Sequence, residues 1–580
     1  MQSIGGRMSD KRTGAQILCE ALIQNGVDTM FGLPGGAIMP FYHAMWEYRS
    51  ELRHILCRHE QGAGHAAEGF ARSTGRIGVC IGTSGPGTTN LVTPIADAWM
   101  DSTPMLAICG QVSSAVLGKD AFQETDITGI TMPITKHNYL IKRVEDIAYA
   151  VKEAIFIATT GRPGPVLIDI TKDALQASMV PDYSKKIFLP GYRPTYQGSK
   201  KQVKAALDLM LKSKKPIMMI GNGVMMANAS DEVMAFAERY QIPVITTLHG
   251  LGAFPQDHPL SLGMPGMHGW VHANRAIQEC DFLLNIGGRF DDRVTGKAST
   301  FAPNASIVHV DIDPSEIGKN IEVDVPIVGD AKLVLLSMLE EEPEETKVAQ
   351  FQQVAAGWLV YVRELQAKHQ HKQQYLNRPD TSVMMPHDVY AVLTKEMNER
   401  GNYRVVTDVG QHQMWAAQLL DWYRPRTHIT SGGAGTMGFA MPAALGVAVA
   451  HPEDTVWVVC GDGGFQMTNQ EMIVVVQENI KNIKIAIINN GFLGMVRQWQ
   501  ELFEGKRYSG TPLTSPNFQK LAEAYGWTGI TVESGDQIEA AVQQAYATDG
   551  PVLIDFRVER EVNVFPMVPQ NKSIGEMITE

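Results

Sequence analysis

No apolar run in the chain approaches the roughly 20 residues that a membrane-spanning helix needs, so a chain that stays outside the bilayer is expected. Cysteine is scarce. The six cysteines stand singly with no CxxC pair, which fits a reducing compartment better than a secreted disulfide framework. Positive charge is in deficit, with 50 Lys and Arg against 62 Asp and Glu and a net charge of −12. That balance argues against a nucleic-acid partner and against an anionic membrane surface. Met1–Lys11 lacks the apolar core of a signal peptide and is too short for a transit peptide, with Met8 as an alternative start. A cytoplasmic protein is expected. What the chain does have is length and apolar content. Its 580 residues are 44% hydrophobic, enough for about three domains of roughly 100–200 residues each.

The stretch Val456 to Asn490 carries the clearest chemistry. Val456–Cys460 and Ile483–Ile488 read as buried parallel strands, too short and too β-branched for helices, with a helix between them at Asn469–Glu478. Strand–helix–strand units bind ligands beyond the carboxyl ends of their strands. Here those ends are Gly461-Asp462-Gly463-Gly464 and Asn489-Asn490. Asp462 offers a carboxylate oxygen, Asn490 an amide oxygen, and the glycines leave room for a diphosphate. Such a donor set suits Mg²⁺, which keeps few protein ligands and borrows the rest from phosphates. Taken alone, GDG more often marks a tight glycine turn and a polar loop.

The remaining chain divides by pattern. Thr29–Phe31, His54–Cys57, Gly78–Gly82, Met105–Cys109 and Val166–Ile170 read as strands of a first α/β unit. Pro216–Gly221, Ile242–Thr246, Phe282–Gly287 and Ile307–Asp311 are strands of a second, with a tight turn at Gly221-Asn222-Gly223. An acidic, apolar-poor linker follows, with one helix near Val348–Gln370 and a solvated acidic run. The third unit opens with the strand Val405–Asp408 and a loop at Gly410-Gln411-His412, and carries a small-residue helix at Ala440–Ala450.

GDG, a helix, and then NN at the next strand end resembles the fingerprint of the thiamine diphosphate (ThDP)-dependent enzymes. That family needs a glutamate on another domain, and RHEQGAGHAAEGFAR at 58–72 resembles the segment that carries it, which implies Glu60. Further segments are similar to acetohydroxyacid synthase catalytic subunits: PGGA at 34–37, KDAFQETD at 119–126, GRPGPVLIDITKD at 161–173, RFDDRVTG at 289–296, GTMGF at 435–439 and GMVRQWQ at 494–500. One departure is visible, Ser113 where that family usually has proline, which bears on loop geometry and inhibitor response.

The resemblance implies an α/β fold of three doubly wound parallel-sheet domains, two binding ThDP and a central one binding FAD. The implied limits are 12–185 for the pyrimidine-binding domain, 195–340 for the flavin domain, 341–381 for the linker, 382–560 for the diphosphate-binding domain and 561–580 for a tail. Mg²⁺ would be held by Asp462, Asn490 and Phe492. ThDP would lie against Pro34, Gly35, Gly36 and Glu60 from the first domain. From the third it would meet Gly410, Gln411, His412, Gly435 and Met437, together with Gly463, Gly464, Gly494 and Met495. FAD would contact Arg162, Gly221, Gly223 and His268, and also Gly288, Arg289, Asp311 and Asp330. By residue type alone, Gly221–Gly223 is as easily a structural turn and Asp311 a helix cap.

Catalytic roles would fall to Glu60, Gln123, Lys172, Arg293, Met437 and Trp499. A carboxylate at Glu60 favours the imino tautomer of the aminopyrimidine, and Met437 props the cofactor bent. Arg293 pairs the second substrate's carboxylate through a planar fork, and Trp499 shapes that substrate's pocket. The expected reaction decarboxylates pyruvate and joins its two-carbon unit to pyruvate, giving 2-acetolactate, or to 2-oxobutyrate, giving 2-aceto-2-hydroxybutyrate. It belongs to valine, leucine and isoleucine biosynthesis. The expected assembly is a homodimer or homotetramer, to which a small regulatory subunit is a further candidate partner. Alternatives are a catabolic acetolactate synthase, against which RFDDRVTG argues, and a glyoxylate carboligase, against which Glu60 argues. A flavin or nicotinamide oxidoreductase is the rival from another class.

Overall fold

The computed structural model describes residues 11–378 and 382–579; Met8 and the linker's last residue, Thr381, lie outside them. Three all-parallel sheets organise the chain. In the first are β1 (Thr29–Gly32), β2 (Arg53–Leu56), β3 (Gly78–Gly82), β4 (Met105–Gln111), β5 (His137–Ile141) and β6 (Pro165–Thr171), in the order 2-1-3-4-6-5. The central sheet has β7 (Pro216–Ile220), β8 (Val244–Thr246), β9 (Phe282–Ile286), β10 (Ser306–Asp311) and β11 (Val325–Val328), ordered 8-7-9-10-11. The last has β12 (Tyr403–Thr407), β13 (His428–Thr430), β14 (Thr455–Gly461), β15 (Ile483–Asn489), β16 (Thr528–Val532) and β17 (Val552–Arg557), ordered 13-12-14-15-17-16. The first and last sheets therefore share one topology. A two-residue antiparallel pair, Arg12–Thr13 with Ser178–Met179, stands apart.

Inner strands such as β3, β4 and β6 are buried along their whole length, the signature of parallel sheets covered on both faces. The edge strands β5, β11, β13 and β16 and the inner β17 add to those expected from the sequence. Two local expectations give way. Residues 462–464 are not a loop but the start of a helix, Asp462–Thr468, followed by a single tight turn at Asn469–Glu471 and a helix at Met472–Gln477. Gln411 likewise opens a helix, Gln411–Leu419, directly after Gly410. In both cases the glycine before the helix takes the non-helical cap position.

The linker is less solvated than its composition suggests. Its helix, Glu345–Lys368, buries Phe351, Ala355, Trp358, Val362 and Leu365, and the Trp358 indole N–H donates to the Pro216 carbonyl at 3.1 Å. The tail buries Val564, Met567, Val568 and Ile574. No helix among the described residues is long and apolar enough to cross a membrane.

The first and third domains meet through the helices Glu60–Thr74 and Ala440–Ala450, with one apolar core running across both. The two backbones touch. A Cβ on Gly446 would overlap the Ala66 carbonyl oxygen, and one on Gly69 would overlap that of Ala443. In an exposed helix, alanine would be the better residue by about 1 kcal/mol. Here Gly446→Ala is expected to destabilise, because overpacking typically costs about 1–3 kcal/mol. Thermal unfolding should show a lower midpoint; a midpoint equal to or above the parent's would contradict the close packing.

Candidate active site

The carboxyl ends of β12, β14 and β15 surround a cavity of about 450 Å³. The order reverses between β12 and β14, the switch point where open α/β sheets bind ligands. Two helices, Gln411–Leu419 and Gly494–Phe503, begin at this cavity and neither has a side-chain cap. Their first-turn N–H groups and the positive ends of their dipoles make the cavity receptive to phosphate. Gly410 has φ +145°, a conformation that favours glycine. A Cβ on Gly494 would overlap the Gln411 side-chain oxygen. Gly463, Gly464 and Met495 complete the same lining.

Asp462 stands between Gly461 and Gly463, which line this cavity, and is fully buried. One carboxylate oxygen accepts the Ser515 hydroxyl at 2.9 Å. The other, Oδ1, is buried with no partner among the described residues. Burial pushes the carboxyl up to about 6. Asn490 Oδ1 accepts from the Phe492 N–H at 3.2 Å, and its amide donates to Gln411 Oε1 at 3.1 Å. A partnerless buried carboxylate oxygen, an amide oxygen and one tight turn at Phe492 fit a hard divalent cation that takes oxygen ligands. His412 is buried beside Gly461, burial pulls its imidazole down to about 3, and its Nε2 has no partner among the described residues.

Met437 reaches into the same cavity, its Cε 3.9 Å from where a Cβ on Gly463 would stand. Gly435 and Gly438, with φ of +66° and +87°, shape its loop. Asp408, at the end of β12, holds that loop by accepting from the N–H groups of Gly438 (3.0 Å) and Ala440 (3.2 Å). Burial raises its carboxyl to about 6. Neither Asp408 nor Ser515 was expected from the sequence. Asp408 follows a buried strand just as Asp462 does, and that parallel is the signal that would have found it.

A second group forms at the carboxyl ends of β1 and β3. Glu60 is buried as the first residue of its helix, and Asn90 donates to its Oε2 at 2.9 Å. Its other oxygen lies 3.2 Å from where a Cβ on Gly87 would be. Gln123, with φ +60°, backs onto Gly85. Pro34, Gly35 and Gly36 form the loop after β1, and Gly35 packs against Thr83. Lys172 opens the helix after β6. Next to it, Asp173 accepts from the Ser114 N–H at 2.9 Å, anchoring the loop that contains Ser113. None of these residues lines the cavity beside Asp462.

A third cleft, about 1090 Å³, lies between the first and central domains and is lined by Arg162, Gly223, Gly288, Arg289, Asp311 and Asp330. Gly221 packs on the Gly287 backbone beside it. Arg162 bridges to Glu316 at 2.6 Å and to Ser102 at 2.9 Å. Asp311 accepts from the Asp313 N–H, and Asp330 caps the helix Ala331–Glu340. The glycine-lined crossing at Gly221–Gly223 and Gly287–Gly288 leaves room for close approach by a dinucleotide. His268 is placed elsewhere, buried with Nδ1 3.3 Å from the Pro566 carbonyl. Arg293 is largely exposed and touches Met267 Sδ at 3.3 Å. Trp499 stands on the Gly494–Phe503 helix with its ring 5.1 Å from that of Phe503.

Family models match all three domains. Residues 12–130 match the N-terminal TPP binding domain of thiamine pyrophosphate enzymes, 203–338 the central domain, and 408–556 the C-terminal TPP binding domain. The chain is 50% identical to the acetolactate synthase large subunit of Corynebacterium glutamicum, covering 98% of this chain and 90% of that protein. It is 46% identical to a probable acetolactate synthase large subunit of Methanocaldococcus jannaschii (97% and 95% covered). It is 44% identical to the acetolactate synthase of Arthrospira platensis (98% and 97% covered). The phosphate-receptive cavity at the switch point, the separate glutamate and these full-length similarities agree: the chain belongs to the thiamine pyrophosphate enzymes, among the acetolactate synthase large subunits.

Proposed function

We propose that the chain is a ThDP- and Mg²⁺-dependent carboligase of branched-chain amino acid biosynthesis. It decarboxylates pyruvate and joins the remaining two-carbon unit to a second pyruvate, giving 2-acetolactate, or to 2-oxobutyrate, giving 2-aceto-2-hydroxybutyrate. The observation that carries this reading is the partnerless Asp462 oxygen beside two uncapped helix starts. ThDP, when bound, supplies the nucleophilic carbon and the electron sink. Asp462, Asn490 and Phe492 would hold Mg²⁺, with Gly410, Gln411, His412, Gly463, Gly464, Gly494 and Met495 around the diphosphate. Met437, on its Asp408-anchored loop, would support the bound cofactor from the cavity wall. Glu60 holds or releases a proton at the aminopyrimidine, with Asn90 fixing its orientation.

FAD is assigned to the central cleft. Gln123 and Lys172 are assigned catalytic roles along with Glu60, and Arg293 and Trp499 roles toward the second oxo acid. We assign 12–185 and 382–560 to ThDP, 195–340 to the flavin, 341–381 to the linker and 561–580 to a tail that backs Gln411 through the Val562 carbonyl. Glu60 is not among the residues that line the cavity beside Asp462, which supports a working site assembled from two chains. A homodimer is the smallest active form, and a homotetramer is two of them. The name "large subunit" carried by relatives supports a small regulatory partner. Six buried free cysteines support a reducing, cytoplasmic setting.

Asp462→Ala removes the charged metal ligand. ThDP affinity at fixed Mg²⁺, read by fluorescence quenching, should fall at least about 10–100-fold, the range seen for outer-shell partners alone. Unchanged, Mg²⁺-dependent binding would overturn the metal assignment. Glu60→Gln keeps size but not acidity, and turnover should fall roughly 10²–10⁴-fold, the scale of lost acid–base assistance. If proton exchange at the reactive thiazolium carbon stayed as fast as in the parent, the role given to Glu60 would be wrong.

A further inference from the structure

Glu471 sits in the third domain, nine residues after Asp462, at the end of the tight turn that follows the Asp462–Thr468 helix. Nothing in the cofactor cavity uses it. Its side chain is fully buried and points out of its own domain into the first. There its carboxylate accepts from the backbone N–H of Arg58 (3.2 and 3.1 Å to its two oxygens) and of His59 (3.0 Å). His59 is the cap residue of the helix that begins with Glu60, and its ring accepts from the Gln61 N–H at 3.1 Å. A carboxylate there also complements the positive end of that helix. The fit is tight: a Cβ on Gly62 would lie 2.5 Å from Glu471 Oε1. Glu471 therefore fixes the main chain on the amino side of Glu60, from a segment continuous with Asp462.

We propose that Glu471 is a positioning residue for Glu60, and that it links the two active sites of a dimer. The proposal rests on the reading that Glu60 of one chain serves the Asp462 site of another. The short segment 462–471 then touches one cofactor through Asp462 and, through Glu471, aims the glutamate that activates the other. A shift of the Asp462 helix on metal and diphosphate binding is passed to the opposite site as a shift of the Glu60 helix start. No new bond or redox step is involved.

The test separates positioning from cofactor binding. In Glu471→Ala, proton exchange at the thiazolium carbon, followed by NMR after rapid quench into deuterated solvent, should slow by about 10²-fold, the cost of misplacing a catalytic group by about 1 Å. ThDP affinity should stay at the parent value, because Asp462 is untouched. Glu471→Gln, which keeps an acceptor oxygen but no charge, should fall between the two. Exchange as fast as in the parent, or a loss of ThDP affinity matching the loss of exchange, would overturn the proposal.

Mixed dimers, purified through a different tag on each chain, give the direction. A Glu60→Gln chain paired with an Asp462→Ala chain regains one working site only if sites are shared between chains, so its failure would remove the underlying reading itself. With sharing established, a Glu60→Gln chain is paired with a Glu471→Ala chain, and a doubly substituted Glu60→Gln/Glu471→Ala chain with an unsubstituted one. The first pair should be slow and the second should match a Glu60→Gln/unsubstituted dimer. The reverse order would show that Glu471 acts on its own chain's Asp462 site and would contradict the proposal.

Discussion

The architecture depends on one contact, the direct backbone approach of the helices Glu60–Thr74 and Ala440–Ala450 through Gly69 and Gly446. Around it runs a buried ionic cluster. Arg72 donates to the Thr430 carbonyl and pairs with Asp101 at 2.7 Å. Asp101 also accepts from the N–H groups of Gly432 and Gly433 and meets His249 of the central domain at 3.1 Å. Burial opposes charge on Asp101, but His249 and Arg72 win and hold its carboxyl well below the usual range. Removing one partner of such a buried pair costs about 3–5 kcal/mol, so the cluster specifies one arrangement of three domains. That arrangement carries the Glu60 and Asp462 helices as parts of one body.

Much of this was legible in the sequence because parallel sheets covered on both faces leave long β-branched runs. β3 coincides with its expected limits and β14 and β15 differ by a residue at each end or at one. The edge strands β5, β11, β13 and β16 were not, since a strand such as β5, HNYLI, is half exposed and carries mixed residue types. Composition also misled at the linker, where polar residues on one face of Glu345–Lys368 hide an apolar face seated on the central domain. Residues 462–464 read as a turn because glycine disfavours helices. Here the helix is set by its place after β14, and its glycines stand where side chains would crowd Asp408 and Leu493.

At the site, residue type was readable and partnership was not. Asp462 could be singled out from GDG, yet only the fold shows one of its oxygens bonded to Ser515 and the other without a partner. Asp408 and Glu471 act through backbone N–H groups far away in sequence, and no local pattern encodes such bonds. His268 meets the tail at the Pro566 carbonyl and is not among the residues that line the cleft with Gly288 and Arg289. Arg293 is largely exposed and Trp499 half-buried.

The central claim is a ThDP-dependent carboligation. The most direct measurement is product analysis of the purified protein given pyruvate alone, and pyruvate with 2-oxobutyrate, each with and without ThDP, Mg²⁺ and FAD. The account predicts 2-acetolactate from the first mixture and added 2-aceto-2-hydroxybutyrate from the second, both lost without ThDP or Mg²⁺. Acetaldehyde as the sole product, or product formation indifferent to ThDP, would contradict it.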